Sequence, residues 1–175
     1  MSSNVNAPGK AVPAARPWWL DLLLTRAPGS WRSSLARMGI MLLVFGGGVL
    51  ALYSGYIHLY LWGRQSYPYS AIPTIGPLFL VQGVAALLIG LLVGITRRLY
   101  AVLLGAGLMA VSVAALVIDV EVGMFGFQDS WAAPYVTSTL YWEIVGAVVL
   151  VIAAAALAWP APPGPAVAAR SWRGR

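Results

Sequence analysis

The sequence predicts an all-α membrane protein: a bundle of four transmembrane helices with both termini on the cytoplasmic side. Three observations carry that prediction. Of 175 residues, 60% are hydrophobic and 9% charged, whereas a soluble domain is about 45–50% apolar and about 25% charged. Four apolar segments, 35–57, 78–95, 99–118 and 136–158, are each long enough for one crossing. Ten of the eleven cations then fall on one side of the four segments, the asymmetry that fixes orientation in membrane proteins.

The elements follow in order. Residues 1–34 stand apart from the rest, and Met1–Arg16 is rich in Ser, Asn, Pro, Gly and Ala, the composition of a flexible cytoplasmic tail. No apolar stretch of the signal-peptide kind follows its cations. Pro17–Arg26 contains Trp18 and Trp19 in a run far too short to span. It is expected to lie along the headgroups with its indoles in the interface; a folded-back linker is the plainer alternative.

The first crossing, 35–57, carries Gly46, Gly47 and Gly48 at mid-depth, a packing or kinking feature. The loop 58–77 is outside and stiffened by Pro68, Pro73 and Pro77. The second and third crossings are joined only by Thr96-Arg97-Arg98, a tight turn. The loop 119–135 is again outside. After the fourth crossing, Pro160, Pro162, Pro163 and Pro165 stop the helix, and a Pro-rich basic cytoplasmic tail, 159–175, follows.

The cations before the first crossing are Lys10, Arg16, Arg26, Arg32 and Arg37; those after the second are Arg97 and Arg98; those after the fourth are Arg170, Arg173 and Arg175. Arg64 alone lies on the other side. The net charge of +6 is therefore a topology signal and not a nucleic-acid footprint. Ten Arg against one Lys, with abundant Ala and Gly, point to a bacterial source with a GC-rich genome, and so to the cytoplasmic membrane.

A shift of 61 residues lays the second helical hairpin on the first. Arg37 then meets Arg98, Gly46 meets Gly107, His58 meets Asp119, Pro73 meets Pro134, and Gln82 meets Glu143. The polar landmarks fall in phase, which raises the prospect of two duplicated hairpins in parallel orientation.

Charge scarcity singles out a few polar residues. Glu143 sits about 10 Å inside the fourth crossing by helix rise. An unshielded carboxylate near the bilayer centre costs about 2.5–3.5 kcal/mol on insertion scales, so it turns inward, finds a partner or stays protonated. His58 ends the first crossing, Gln82 lies a turn inside the second, and Asp119 and Glu121 end the third. On each helix the polar group shares a face with small residues: His58 with Ser54, Ala51 and Gly47; Gln82 with Ala86, Gly90 and Gly94; Asp119 with Ala115 and Ser112; Glu143 with Ala147 and Val151. Small faces let helices approach closely, and Ala86, Gly90 and Gly94 are the candidate packing residues. His58, Gln82, Asp119, Glu121 and Glu143 are thus a candidate polar pocket in the outer leaflet. The structural alternative has Glu143 bonding Gln82 or a Tyr hydroxyl while the others are wet helix ends. Aromatics crowd the same end, from Tyr53, Tyr56, Tyr60 and Trp62 to Trp131, Tyr135, Tyr141 and Trp142; they form an interfacial belt or a partner-binding surface.

No catalytic constellation is visible. With no cysteine and one histidine there is no thiol nucleophile and no metal site built from several His or Cys of one subunit. Phosphate-binding glycine loops and hydrolase motifs are missing as well. The sequence calls for no cofactor, no metal and no nucleic acid.

The stretches His58-Leu59-Tyr60-Leu61-Trp62 and Ile72-Pro73-Thr74-Ile75-Gly76-Pro77-Leu78-Phe79-Leu80-Val81-Gln82 resemble the HLxLW…IPTIGPLFLxQ-like signature of a family of small four-helix integral membrane proteins of actinobacteria. The similarity covers roughly 37–158. It implies the fold and brings no chemistry with it.

Two functions from different classes follow. The first is a non-enzymatic accessory or structural subunit that lies in the lipid bilayer and binds another membrane protein or self-associates as a homo-oligomer. The second is a small transporter or proton/cation-handling protein using Glu143 with His58 and Asp119. A third, a membrane enzyme or redox partner holding a quinone or lipid in the outer pocket, has the least support.

Overall fold

The computed structural model describes residues 17–25, 33–63 and 68–159. The tails expected over 1–16 and 160–175 lie outside the described residues, as do Lys10, Arg16, Arg26, Arg32, Arg64 and the arginines after position 159. The elements are α1 (Trp18–Leu23), α2 (Ser34–Gly63), a 3₁₀ turn (Tyr69–Ala71), α3 (Ile75–Thr96), α4 (Leu99–Glu121) and α5 (Val136–Ala158). Helices α2 to α5 are each long and apolar enough to cross a membrane, and together they form an all-α four-helix bundle.

The helices run longer than their apolar stretches. Helix α2 continues through His58-Leu59-Tyr60-Leu61-Trp62 to Gly63, because nothing in that run breaks a helix. His58 therefore sits within α2 and not at its end. Helix α3 begins at Ile75, so Gln82 lies two turns inside it. The fourth crossing spans 136–158, as its apolar pattern indicates.

Helix α2 packs on α3 and α5, and α4 packs on α5; α3 and α4 touch least of the neighbouring pairs. Glycine sets the α2–α3 contact. A Cβ on Gly55 would lie 2.8 Å from the Gly83 carbonyl oxygen, and one on Gly90 would lie 2.9 Å from that of Gly48. The two helices thus cross backbone to backbone at two points, Gly48 with Gly90 and Gly55 with Gly83. Ala86 and Gly90 are buried in this seam. Gly94 is at its edge: its nitrogen is 3.7 Å from where a Cβ on Gly48 would stand.

The bundle has two unlike ends. At one end Arg97 closes α3 in the left-handed conformation (φ 52°), its N–H bonded to Val93 O, and α4 starts two residues later. Arg37 and Arg98 are at this end. The Leu99 N–H donates to Thr25 O at 3.0 Å, which ties the α1 segment to the same end. α1 itself buries nothing, and Trp18 and Trp19 are exposed. The core above it is dense, with Val44, Val93, Val102, Met109 and Leu150 fully buried. Leu150 of α5 presses where a Cβ of Gly47 or Gly105 would be.

At the other end, two loops cover the bundle. Met124 and Phe127 form a two-residue hairpin whose central residues, Phe125 and Gly126, have φ of 54° and 78°, as a type I′ turn requires. The Tyr69 hydroxyl donates to Asp129, joining this loop to the 3₁₀ turn. Thr74 (φ 67°) and Tyr135 (φ 71°) each follow a proline and immediately precede a helix. These two positions are 61 apart, so the hairpin equivalence seen in the sequence recurs in an uncommon backbone conformation.

Candidate functional site

Glu143 is fully buried, reached from two neighbouring helices. Its Oε1 accepts hydrogen bonds from Ser54 Oγ on α2 at 2.9 Å and from Ser112 Oγ on α4 at 2.6 Å. His58 Nε2 on α2 stands 3.8 Å from the same oxygen. One turn back on α2, the Ser54 carbonyl oxygen is 2.9 Å from His58 Nδ1. A carbonyl only accepts, so Nδ1 carries a hydrogen and Nε2 is the nitrogen turned to Glu143. Ser54 thus positions both groups, the imidazole by its backbone and the carboxyl by its hydroxyl.

That geometry permits two arrangements of one proton. In the first, Nε2 holds it and an imidazolium faces a carboxylate. In the second, Oε2 holds it and a neutral imidazole faces a carboxylic acid. Oε1 keeps both serine bonds in either case, while Oε2 changes from acceptor to donor.

Among the described residues, Oε2 has no partner. Among the described residues, four buried side-chain polar atoms lack one: Gln82 Nε2, Asp119 Oδ1, Thr139 Oγ1 and Glu143 Oε2. All four residues line a single cavity of about 350 Å³. Buried polar atoms are normally bonded, so four unpartnered ones among the residues around one cavity set this region apart from the rest of the described bundle. Neighbouring walls are apolar and aromatic. Phe79 lies 5.2 Å from the His58 ring and stacks on Tyr69 at 4.3 Å.

Of the five candidate pocket residues, His58, Gln82, Asp119 and Glu143 line this cavity. Glu121 does not. Two positions beyond Asp119 on a helix is about 200° round the axis, and Glu121 instead accepts from Trp131 Nε1 at 2.9 Å at the exposed rim. Asp129 joins the lining from the loop, bonded to Tyr69. Burial, then the hydrogen bond to Asp129, pushes the Tyr69 phenol above its ordinary range.

The structural partners expected for Glu143, Gln82 or a Tyr hydroxyl, do not bond it; Ser54 and Ser112 do. Both serines were visible on the small-residue faces. Thr139 was not singled out, although it stands one turn before Glu143 on the same face. Val151, placed on that face by four-residue spacing, is exposed, because the buried stripe runs through Gly146 and Leu150. Among the described residues no three His, Asp or Glu side chains converge as a metal site.

Compared with known families, curated proteins and solved structures, the chain matches no family model, no curated protein and no solved structure.

Proposed function

We propose that this chain is a small membrane protein that handles a proton or cation at the Glu143–His58 pair, with Asp119 on the wall of the same cavity. The observation that carries the reading is that all four unpartnered buried polar atoms of the described residues belong to residues lining one cavity, beside which His58 Nε2 stands 3.8 Å from Glu143 Oε1. A purely structural carboxyl would have both oxygens bonded, since an unpartnered buried polar atom costs about 1–3 kcal/mol. A site that must accept and release a proton keeps one oxygen free.

Its membrane setting belongs to the same proposal: the bacterial cytoplasmic membrane, both termini cytoplasmic, the cavity toward the outer face. The cation asymmetry of the sequence supports this orientation, and Arg37, Arg97 and Arg98 stand at the end opposite Asp119, Glu121 and Asp129. Membership of the actinobacterial four-helix family is part of the proposal as well, on the strength of the signature at 58–62 and 72–82.

The test is proton flux in proteoliposomes carrying an internal pH dye. The intact protein is expected to dissipate an imposed pH gradient faster than empty vesicles, and Glu143→Gln to remove the difference. Equal leak rates in all three preparations would end the reading.

An accessory role, with a membrane-protein partner or a second copy, has one observation in its favour. Tyr53 and Trp142 pack edge to face, and Tyr56 and Tyr141 stand exposed beside them on the α2–α5 face. The Ala86–Gly90 face is occupied within the chain, so a partner would meet these aromatics instead. Gentle-detergent pull-down of a tagged chain, compared with Tyr56→Ser/Tyr141→Ser, decides it: a partner lost with the double substitution supports the role, and recovery of the monomer alone removes it.

A further inference from the structure

The lining of the cavity is lopsided in charge. Among the described residues Asp119, Asp129 and Glu143 are part of its lining, His58 is the one basic side chain there, and no Lys or Arg is included. The unpartnered buried atoms of its lining residues are lopsided in the same sense. Asp119 Oδ1 and an ionised Glu143 Oε2 accept, Thr139 Oγ1 accepts or donates, and only Gln82 Nε2 is restricted to donating. The occupant that satisfies such a wall is a donor with positive charge. A bare metal ion is not favoured, because the carboxylates and the imidazole do not converge as ligands. The remaining lining is mostly apolar, and the Phe79 ring, stacked on Tyr69, is part of it. Carboxylates combined with aromatic rings and apolar walls suit an organic ammonium.

The mouth of the cavity identifies the phase from which the occupant comes. Val81 of α3 and Val111 of α4 both line the cavity, yet they are 64% and 66% exposed. By helix rise they stand about 9 Å and about 15 Å from the cavity-end termini of their helices, a depth flanked by hydrocarbon. Near the Arg97 turn the same two helices are in contact, where a Cβ on Gly105 would meet Ile89 and Val93. Toward the other end Gln82 and Ser112 border the cavity instead. The gap between α3 and α4 therefore opens sideways into lipid.

We propose that the cavity binds a lipophilic organic ammonium, a protonated amine on a compact apolar body, which enters from the membrane between α3 and α4. Its N–H groups turn to the carboxyl groups of Asp119 and Glu143 and to the Thr139 hydroxyl, and its body lies against Phe79. This deepens the cation-handling reading, on which it rests for taking the cavity as the working site.

Three probes of matched shape and different charge test it: adamantan-1-amine, 1-adamantanol and 1-adamantanecarboxylate. Saturation binding is measured on the full chain in nanodiscs, with empty nanodiscs subtracted. The amine is expected to bind saturably and about tenfold or more tighter than the alcohol, as a charge-assisted contact requires, and the carboxylate not at all. Asp119→Asn, at the cavity wall, is expected to weaken amine binding about tenfold while the alcohol is unaffected. Glu143→Gln keeps an acceptor for both serines and serves as the second variant, with the same expected loss. Val81→Trp, at the sideways mouth, should slow amine binding and release without changing the preference among probes. An alcohol that binds as well as the amine, carboxylate binding, or no saturable binding would overturn the proposal and leave a cavity that holds water. The two readings fail separately. Glu143-dependent proton flux without amine binding removes the ligand alone, whereas charge-selective amine binding without flux removes the proton pathway alone.

Discussion

Glu143 is held by three side chains from two other helices, and that is where its removal is felt. Glu143→Ala leaves Ser54 and Ser112 without their acceptor and opens the floor of the cavity. The expected loss is about 2–4 kcal/mol. Glu143→Gln retains an oxygen for both serines and should fall within about 1 kcal/mol of the parent. Chemical unfolding in detergent, followed by circular dichroism, separates the two. Scarcity of charge made Glu143 legible in the sequence, since one carboxyl within an apolar run has few bland explanations. Its partners were not legible. Serine is ordinary in membrane helices, and which serine reaches Glu143 depends on the relative rotation of three helices, which periodicity alone does not give. Gln82 was the more conspicuous residue, and its Nε2 has no partner among the described residues.

Tyr69 makes a second prediction at this scale. Its folded-state phenol is held above the ordinary tyrosine range by burial, then by its bond to Asp129. The neutral phenol is the form the fold favours. Its stabilising effect is therefore full below the pH where free tyrosine ionises, and it is lost as pH rises through the folded-state value. Tyr69→Phe should lower the melting temperature at neutral pH and flatten the loss of stability on the alkaline side. An alkaline profile identical to the parent's would show that Tyr69 does not carry this tether.

The helices owe their arrangement to glycine placed at seven-residue spacing. Gly48 and Gly55 of α2 meet Gly90 and Gly83 of α3, and an added methyl would strike a carbonyl at each contact. Gly55→Ala and Gly90→Ala should each cost about 1–3 kcal/mol by overpacking. Gly46→Ala and Gly107→Ala meet open space, and should gain up to about 1 kcal/mol from helix propensity. Thermal scans of the four variants check the contrast, and equal behaviour of the two pairs would contradict the glycine seam. The crossings themselves were legible as apolar runs, and Val136–Ala158 has the extent its pattern shows. The ends of α2 and α3 were not, because hydropathy reports where lipid contact stops, while α2 goes on through Gly63 and α3 starts only where the backbone is diverted at Thr74.

At the scale of the whole molecule, the chain has a packed end and an open end. Val44, Val93, Val102 and Leu150 fill the first, and the polar cavity occupies the second. Sidedness is directly measurable because the sequence contains no cysteine. An impermeant maleimide should label Phe125→Cys in intact cells and reach Arg97→Cys only after lysis; the reverse pattern would invert the orientation. The claim that joins fold to function is that the cavity floor exchanges a proton with water. Glu121 and Glu143 are the only glutamates in the chain, so in a Glu121→Gln background a ¹³C-carboxyl glutamate label reports on Glu143 alone. Its chemical shift in nanodiscs, followed against pH, is the most direct test. The account predicts a reversible titration that moves when His58 is replaced by Gln. A carboxyl signal that stays constant over the whole pH range in which the protein remains folded would contradict it.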